Sequence, residues 1–217
     1  MIAHALSILM NELNRHLTAY DSPQPSDASS NRAVLGNLAE GFASGNATNG
    51  VPRNRLVLSV VNIQEDKTLK NAPNFVRNDG NLSVRYENPP IFLNLKILIT
   101  ATHTDYINAM LMLSRGLQFF QYQQTFTQDS VDPVSLNPPP ALTNELDQLV
   151  SFKLNVELYS PSMEEVNHLW GTLGGKQYPF ALYIIRMLDL KFKSRQPERG
   201  VITEIISNFY HKKPAVN

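Results

Sequence analysis

Apolar positions recur with two different periods along this chain, and the switches between them divide it into elements. Ile2, Leu6, Leu9, Leu13, Leu17 and Tyr20 return every three or four residues, the spacing of one stripe on a first α-helix. The segment SPQPSDASSN ends that helix as a loop, and a short strand is expected around 34–38. GFASGNATNGVPR (41–53) concentrates Gly, Asn and Pro and predicts a mobile loop. RLVLSVVNIQ (55–64) then reads as a strand partly buried on both faces. Around Asp79-Gly80 a hairpin turn is expected between short extended pieces, one of them LSVRYE.

Strict alternation follows. Ile91, Leu93, Leu95, Ile97, Ile99 and Ala101 share one face of a strand, with Asn94, Lys96, Thr100 and Thr102 on the other. Thr104 or Asp105 is placed to cap a helix running to about Gln121. Tyr106, Met110, Leu113, Leu117 and Phe120 form its expected packing stripe, with Ile107, Leu111 and Phe119 outside it. So wide an apolar surface needs cover from more than one direction. The stretch 123–148, with Asn137-Pro-Pro-Pro140, is expected to travel over the surface. Val150, Phe152, Leu154, Val156 and Leu158 alternate with polar residues as a half-buried strand. Ser162 caps a further helix packed through Met163, Val166, Leu169 and Trp170, which Gly171, Gly174 and Gly175 terminate. A last long strand spans 180–192, and the tail is expected to be a strand of the domain or an arm that pairs elsewhere. The expected fold is α/β (α+β): a mixed sheet flanked by helices, residues 1–193, followed by an extended C-terminal arm, 194–217.

Composition narrows the function classes. With 19 Lys+Arg against 19 Asp+Glu and no block of like charge, nothing resembles an electrostatic footprint for nucleic acid. Cysteine is absent, which excludes disulfides, thiolate metal sites and cysteine nucleophiles. The first residues lack a basic leader and no apolar run reaches the roughly 18–20 residues of a bilayer span, so synthesis and assembly in the cytoplasm are expected.

Candidate chemistry is thin. Glu164 and His168 lie four apart on a predicted helix, but no further ligand spacing supports a metal there. His103 with Asp105 lacks a nucleophile to activate, and Asp105 reads better as a helix cap. Leu173-Gly174-Gly175-Lys176 shares glycines and a lysine with a phosphate loop but not its spacing. Asn46-Ala-Thr48 and Asn81-Leu-Ser83 match a glycosylation pattern but, with no secretory leader expected, read as chance matches. Trp170 reads as a core residue, whereas Arg186 and Asp189 interrupt an apolar strand and suit either an inter-subunit contact or a solvent face. No catalytic residue, metal or cofactor is expected.

Four stretches carry a resemblance: IAHALSILMNELNRHL, NRLVLSVVNIQED, NPPIFLNLKILITATHTDYINAMLMLSRGLQFFQ and MEEVNHLWGTLGGKQYPFALYIIRMLDL. In this order the chain resembles, from residue 1 to about 193, the cap or tail-terminator proteins of extracellular contractile injection systems, which are phage-tail-like particles. The resemblance implies a non-enzymatic ring of six copies that ends growth of inner tube and sheath at the distal end of a particle that can be released extracellularly. Its implied partners are further copies of the chain, an inner-tube protein and a sheath protein. It supplies no residue-level motif, and some relatives extend past this domain.

Site expectations therefore come from the residues. Asn46, Asn49, Arg53, Lys70, Arg77 and Asp79, on the loops 41–53 and 66–82, are assigned to tube docking. Ile107, Leu111, Phe119, Arg186 and Asp189 are assigned to the contact between copies, and Ile202, Ile205 and Phe209 to a neighbour or the sheath. A monomeric assembly chaperone or adaptor, and a small metal-dependent enzyme, are the rival readings.

Overall fold

The computed structural model describes residues 1–20, 32–43, 50–67, 73, 75–78, 83–86, 89–190 and 199–200, with backbone alone for 76–78, 85, 86, 187, 189, 190, 199 and 200. Two compact units are present, residues 1–70 with 90–192, and residues 71–89 with 193–217.

In the first unit the alternating strand β5 (Ile91–Ala101) decides where the core lies, because Leu93, Leu95, Ile97, Ile99 and Ala101 are all buried on one face. It pairs antiparallel on one side with β2 (Leu56–Glu65) and on the other with β8 (Phe180–Leu190). Beyond β2 lies the short parallel strand β1 (Ala33–Leu35). Beyond β8 lie β7 (Lys153–Tyr159) and β6 (Thr125–Thr127), both antiparallel to their neighbours. The six-stranded mixed sheet thus runs β1-β2-β5-β8-β7-β6. Register shifts between Val60 and Asn62 of β2, and between Leu93 and Leu95 where β5 meets β8, both face the middle of β5. Bulges on both flanks of one strand increase its local twist.

Helices cover both faces. α1 (Ile2–Ala19) and α2 (Tyr106–Tyr122) bury the β5 core face, while α3 (Met163–Thr172) packs Val166 and Trp170 on Leu98 and Leu182 of the opposite face. Ser162 caps α3 by accepting from the Glu165 amide at 3.2 Å, and the Glu165 carboxylate accepts from the Ser162 amide at 2.9 Å. The Gly175 amide closes the other end on the Trp170 carbonyl at 2.7 Å, with Gly174 and Gly175 at positive φ; Gly171 lies inside the helix rather than ending it. Met163, expected to pack, is exposed at the first position of α3.

The buried stripe of α2 differs from the expected one. Ala109, Met112, Leu113, Gly116, Phe119 and Phe120 face the core, whereas Tyr106 and Met110 are exposed. Small residues set this rotation. A Cβ on Gly116 would stand 3.4 Å from Leu56 Cδ1, so the helix turns its smallest side chains toward the sheet. Phe119, assigned from sequence to the contact between copies, therefore lands in the core at 3% exposure, against the rings of His16, Phe120 and Phe126.

The stretch 123–148 is likewise more than a surface excursion. It contains β6, whose Phe126 is fully buried, and it is stitched to α1 by polar side chains. The His4 ring bridges the Leu136 carbonyl at 2.9 Å and the Leu149 amide at 2.8 Å. Glu12 accepts from the Asp132 amide at 2.9 Å, and Arg15 pairs with Asp132 at 3.1 Å. β7 begins at Lys153, so Val150 is exposed; Leu158 is exposed too, because β6 borders β7 only at 153–155. β1 spans 33–35 rather than 34–38, since Asn37 caps a 3-10 turn by accepting from the Ala39 amide at 3.2 Å.

Nor is the loop 41–53 loose at its base. Phe42 and Val51 form a parallel bridge, the Ala43 amide donates to the Val51 carbonyl at 3.1 Å, and Val51 is buried. Gly50 has φ +116°, and a Cβ there would stand 2.6 Å from the Ala43 nitrogen. In the second unit, β3 (Phe75–Asn78) and β4 (Ser83–Tyr86) form the expected antiparallel hairpin, and β9 (Arg199–Gly200) pairs antiparallel with β4.

Two substitutions test this frame. The Asn14 amide donates to the Ala33 carbonyl at 2.8 Å and accepts from the Ala33 amide at 2.7 Å, closing the outer edge of β1 with a buried side chain. Asn14→Asp keeps the acceptor and loses the donor, so denaturant titration should show a loss of about 2–3 kcal/mol with an unchanged slope. Gly50→Ala forces a side chain into a conformation only glycine adopts easily, and should cost about 1–3 kcal/mol, with faster amide exchange at Ala43 and Val51.

Candidate assembly surface

Because small residues turn the large ones outward, the first half of α2 presents a ridge to solvent. Tyr106 is 68% and Ile107 76% exposed, and Met110 and Leu111 follow one turn on. The ridge starts from a fixed point. Asp105 caps α2 by accepting from the Asn108 amide at 3.1 Å. Thr102, fully buried at the end of β5, donates to the Pro52 or Arg55 carbonyl at 3.1 and 3.0 Å and accepts from the Arg55 amide at 3.2 Å. Asn54 takes φ +58° so that its Oδ1 accepts from the Thr104 amide at 3.2 Å. Residues 52–55 are thereby locked to the β5–α2 junction.

The two flanks of the ridge differ in chemistry. On one side Tyr106, Met110, Leu113, Tyr178 and Phe180 line an apolar groove of about 390 Å³. Phe42 packs edge-on against Tyr178 and carries the Arg53 guanidinium 4.3 Å above its ring, so Arg53, expected in tube docking, lies at the loop base. On the other side a cleft of about 540 Å³ is lined by Arg32, Arg55, Arg115, His103, Asn108 and Leu111, among others. Among the described lining residues are three guanidiniums and one carboxylate, Asp105, which is engaged at the helix start; Arg32 and Arg115 also have other partners within the chain. Arg115 also lies 5.2 Å from the Tyr20 ring centroid.

Arg186 pairs with Glu157 across β8 and β7 at 2.9 Å, an exposed ion pair worth about 0–1 kcal/mol that already engages its charge within the chain. The Asp189 and Arg77 side chains, and residues Asn46, Asn49, Lys70, Asp79, Ile202, Ile205 and Phe209, lie outside what is described. Among the described residues no three His, Asp or Glu side chains come close enough to hold a metal, and no helix is long and apolar enough to cross a membrane. What sequence reasoning missed is the arginine cleft, whose members come from four separated segments; the ridge itself was visible in Ile107 and Leu111.

His103 reports on this cleft. Its Nδ1 is buried without a partner among the described residues, and burial, then Arg55 and Arg32, push its pKa below the ordinary 6.5. Burial lowers His16 in the same direction. The unfolded chain therefore takes up these protons first as pH falls, so their contribution is intact above about 6.5 and lost below it. Chemical denaturation between pH 7.5 and 5.5 should show falling stability, with a shallower fall in a His16→Asn, His103→Asn variant.

Comparison with known proteins places the chain in a family. The chain matches the Pvc16 N-terminal domain over residues 5–204. Two solved structures share its fold. A PVC sheath/tube terminator in the extended state, from an extracellular contractile injection system, aligns with TM-score 0.51 and 13% identity, covering 94% of this chain and 63% of that one. The tube-terminating cap of the anti-feeding prophage aligns with TM-score 0.51 and 15% identity, covering 92% and 59%. The chain thus spans about three-fifths of the length of these two proteins. A comparison with curated protein sequences gives no match. With a match over nearly its whole length, the chain belongs to the Pvc16 N-terminal domain family.

Proposed function

We propose that this chain is a structural terminator of a contractile injection system, a ring of six copies that ends inner-tube and sheath growth at the distal end. It is not an enzyme in this reading, needs no cofactor, and is assembled in the cytoplasm. One observation carries the reading beyond family membership: the apolar ridge of α2, where Ile107 is 76% exposed. Head-to-tail contacts that close by rotation require each copy to bury apolar surface on two sides. Covering Ile107 and Leu111 would contribute about 2–3 kcal/mol per contact.

Residues 1–193 serve as the terminator domain in this scheme and 194–217 as an arm. Asn46, Asn49, Lys70, Arg77 and Asp79 are assigned to the tube, and Ile202, Ile205 and Phe209 to a neighbour or the sheath. Arg53, exposed and stacked on Phe42 at the loop base, stays with the tube-docking set, and the contact between copies centres on Ile107 and Leu111.

Particles assembled without the chain should carry overlong tubes or sheaths, seen by electron microscopy. Ile107→Asp should leave unfolding stability within about 0.5 kcal/mol of wild type, as expected at an exposed position. Its solution mass should nevertheless fall from six copies to the 24.4 kDa monomer. A variant that still forms the ring and limits length normally would remove the ridge from the contact.

A further inference from the structure

We infer that the arginine cleft beside α2 is one half of the contact between copies, and that the other half is the acidic, aliphatic turn at Glu145–Val150 of a second copy. The inference rests on the ring reading above and names the surfaces that meet.

That turn is preorganised and complementary. Leu146, 52% exposed, stands between Glu145 and Asp147 in a 3-10 turn, and Val150 follows at 72% exposure. Asn144 fixes the turn by accepting from the Leu146 amide at 2.9 Å, and His4 anchors its far side through the Leu149 amide. Neither side-chain carboxylate has a partner among the described residues, and the N-terminal ammonium of Met1 donates to the Asp147 backbone carbonyl beside them. The cleft offers the reverse: cationic walls, with Leu111 at its edge and the rest of the ridge beyond. Arg32 and Arg115 also engage other groups of their own chain, but the guanidinium of Arg55 donates to a neutral group, the Asn54 carbonyl at 3.0 Å.

Position fits a ring as well as chemistry does. Arg115 lies over Tyr20 at the C-terminal end of α1, whereas His4 holds the acidic turn at the N-terminal end. Sixteen helical residues separate those anchors by about 24 Å. Two unlike, complementary patches near opposite ends of α1 suit a heterologous contact, which forms a ring where the rotation closes. Opposite charges in such a contact also fix its register and speed encounter.

Charge reversal tests this directly. Arg55→Glu alone, and Glu145→Arg with Asp147→Arg alone, should each lower the ring fraction at least tenfold at fixed concentration, measured by native mass spectrometry at low salt. An equimolar mixture of the two variants should recover rings in which they alternate, and recovery also shows that both are folded. Should either reversal prevent folding, judged by thermal unfolding, Arg55→Gln and Glu145→Gln with Asp147→Asn should weaken assembly and flatten its salt dependence. Variants that assemble like wild type, or a mixture that recovers nothing, would overturn the pairing while a wild-type ring that limits tube length leaves the terminator reading intact. A wild-type chain that never assembles and never limits length would sink both.

Discussion

One contact of helix with sheet, Gly116 of α2 over Leu56 of β2, governs what this molecule offers to others. A glycine at that point, with Ala109 two turns earlier, lets α2 settle on the core face of β5 with its smallest side chains inward. Close packing leaves no alternative place for the larger residues on the outer side, so Tyr106, Ile107, Met110 and Leu111 meet solvent. The same rotation carries Phe119 and Phe120 into the aromatic cluster with Phe126 and Tyr183. Core and ridge are two consequences of one contact.

α1 supplies the second constraint. Its apolar stripe joins the core, but its buried polar residues act as brackets: Asn14 closes the free edge of β1, Glu12 and His4 hold the long connection between β6 and β7. Such groups are expensive to bury unless paired, and here each pairing fixes backbone that has no regular partner of its own. A long irregular segment thereby becomes a defined surface on which Leu146 and Val150 stand exposed. Fold and candidate contact again share a cause.

Much of this was legible from periodicity. β5, β7, β8, the Ser162 cap of α3 and a cap of α2 at Thr104 or Asp105 follow from alternation, 3.6-residue spacing and the chemistry of free helix ends. Three things were not. The rotation of α2 was read from its largest apolar residues, whereas Ala109 and Gly116 decide it, because packing distance depends on the smallest side chains. β6 has three residues, too short for a periodic signal beside the Pro-rich stretch. The arginine cleft joins Arg32, Arg55, His103 and Arg115, whose proximity depends on the β1-β2-β5 pairing and not on any local spacing.

The chain belongs to the Pvc16 N-terminal domain family, and among its described residues α2 exposes an apolar ridge, the two facts on which the proposed assembly role rests. The central claim is that the ridge is covered in the finished particle. The chain has no cysteine, so Ile107→Cys would introduce a single thiol at the crest of α2. Its alkylation rate, compared between the free chain and intact particles, is the most direct measurement. The account predicts rapid reaction in the free chain and strong protection in the particle; equal reactivity in both states would contradict it.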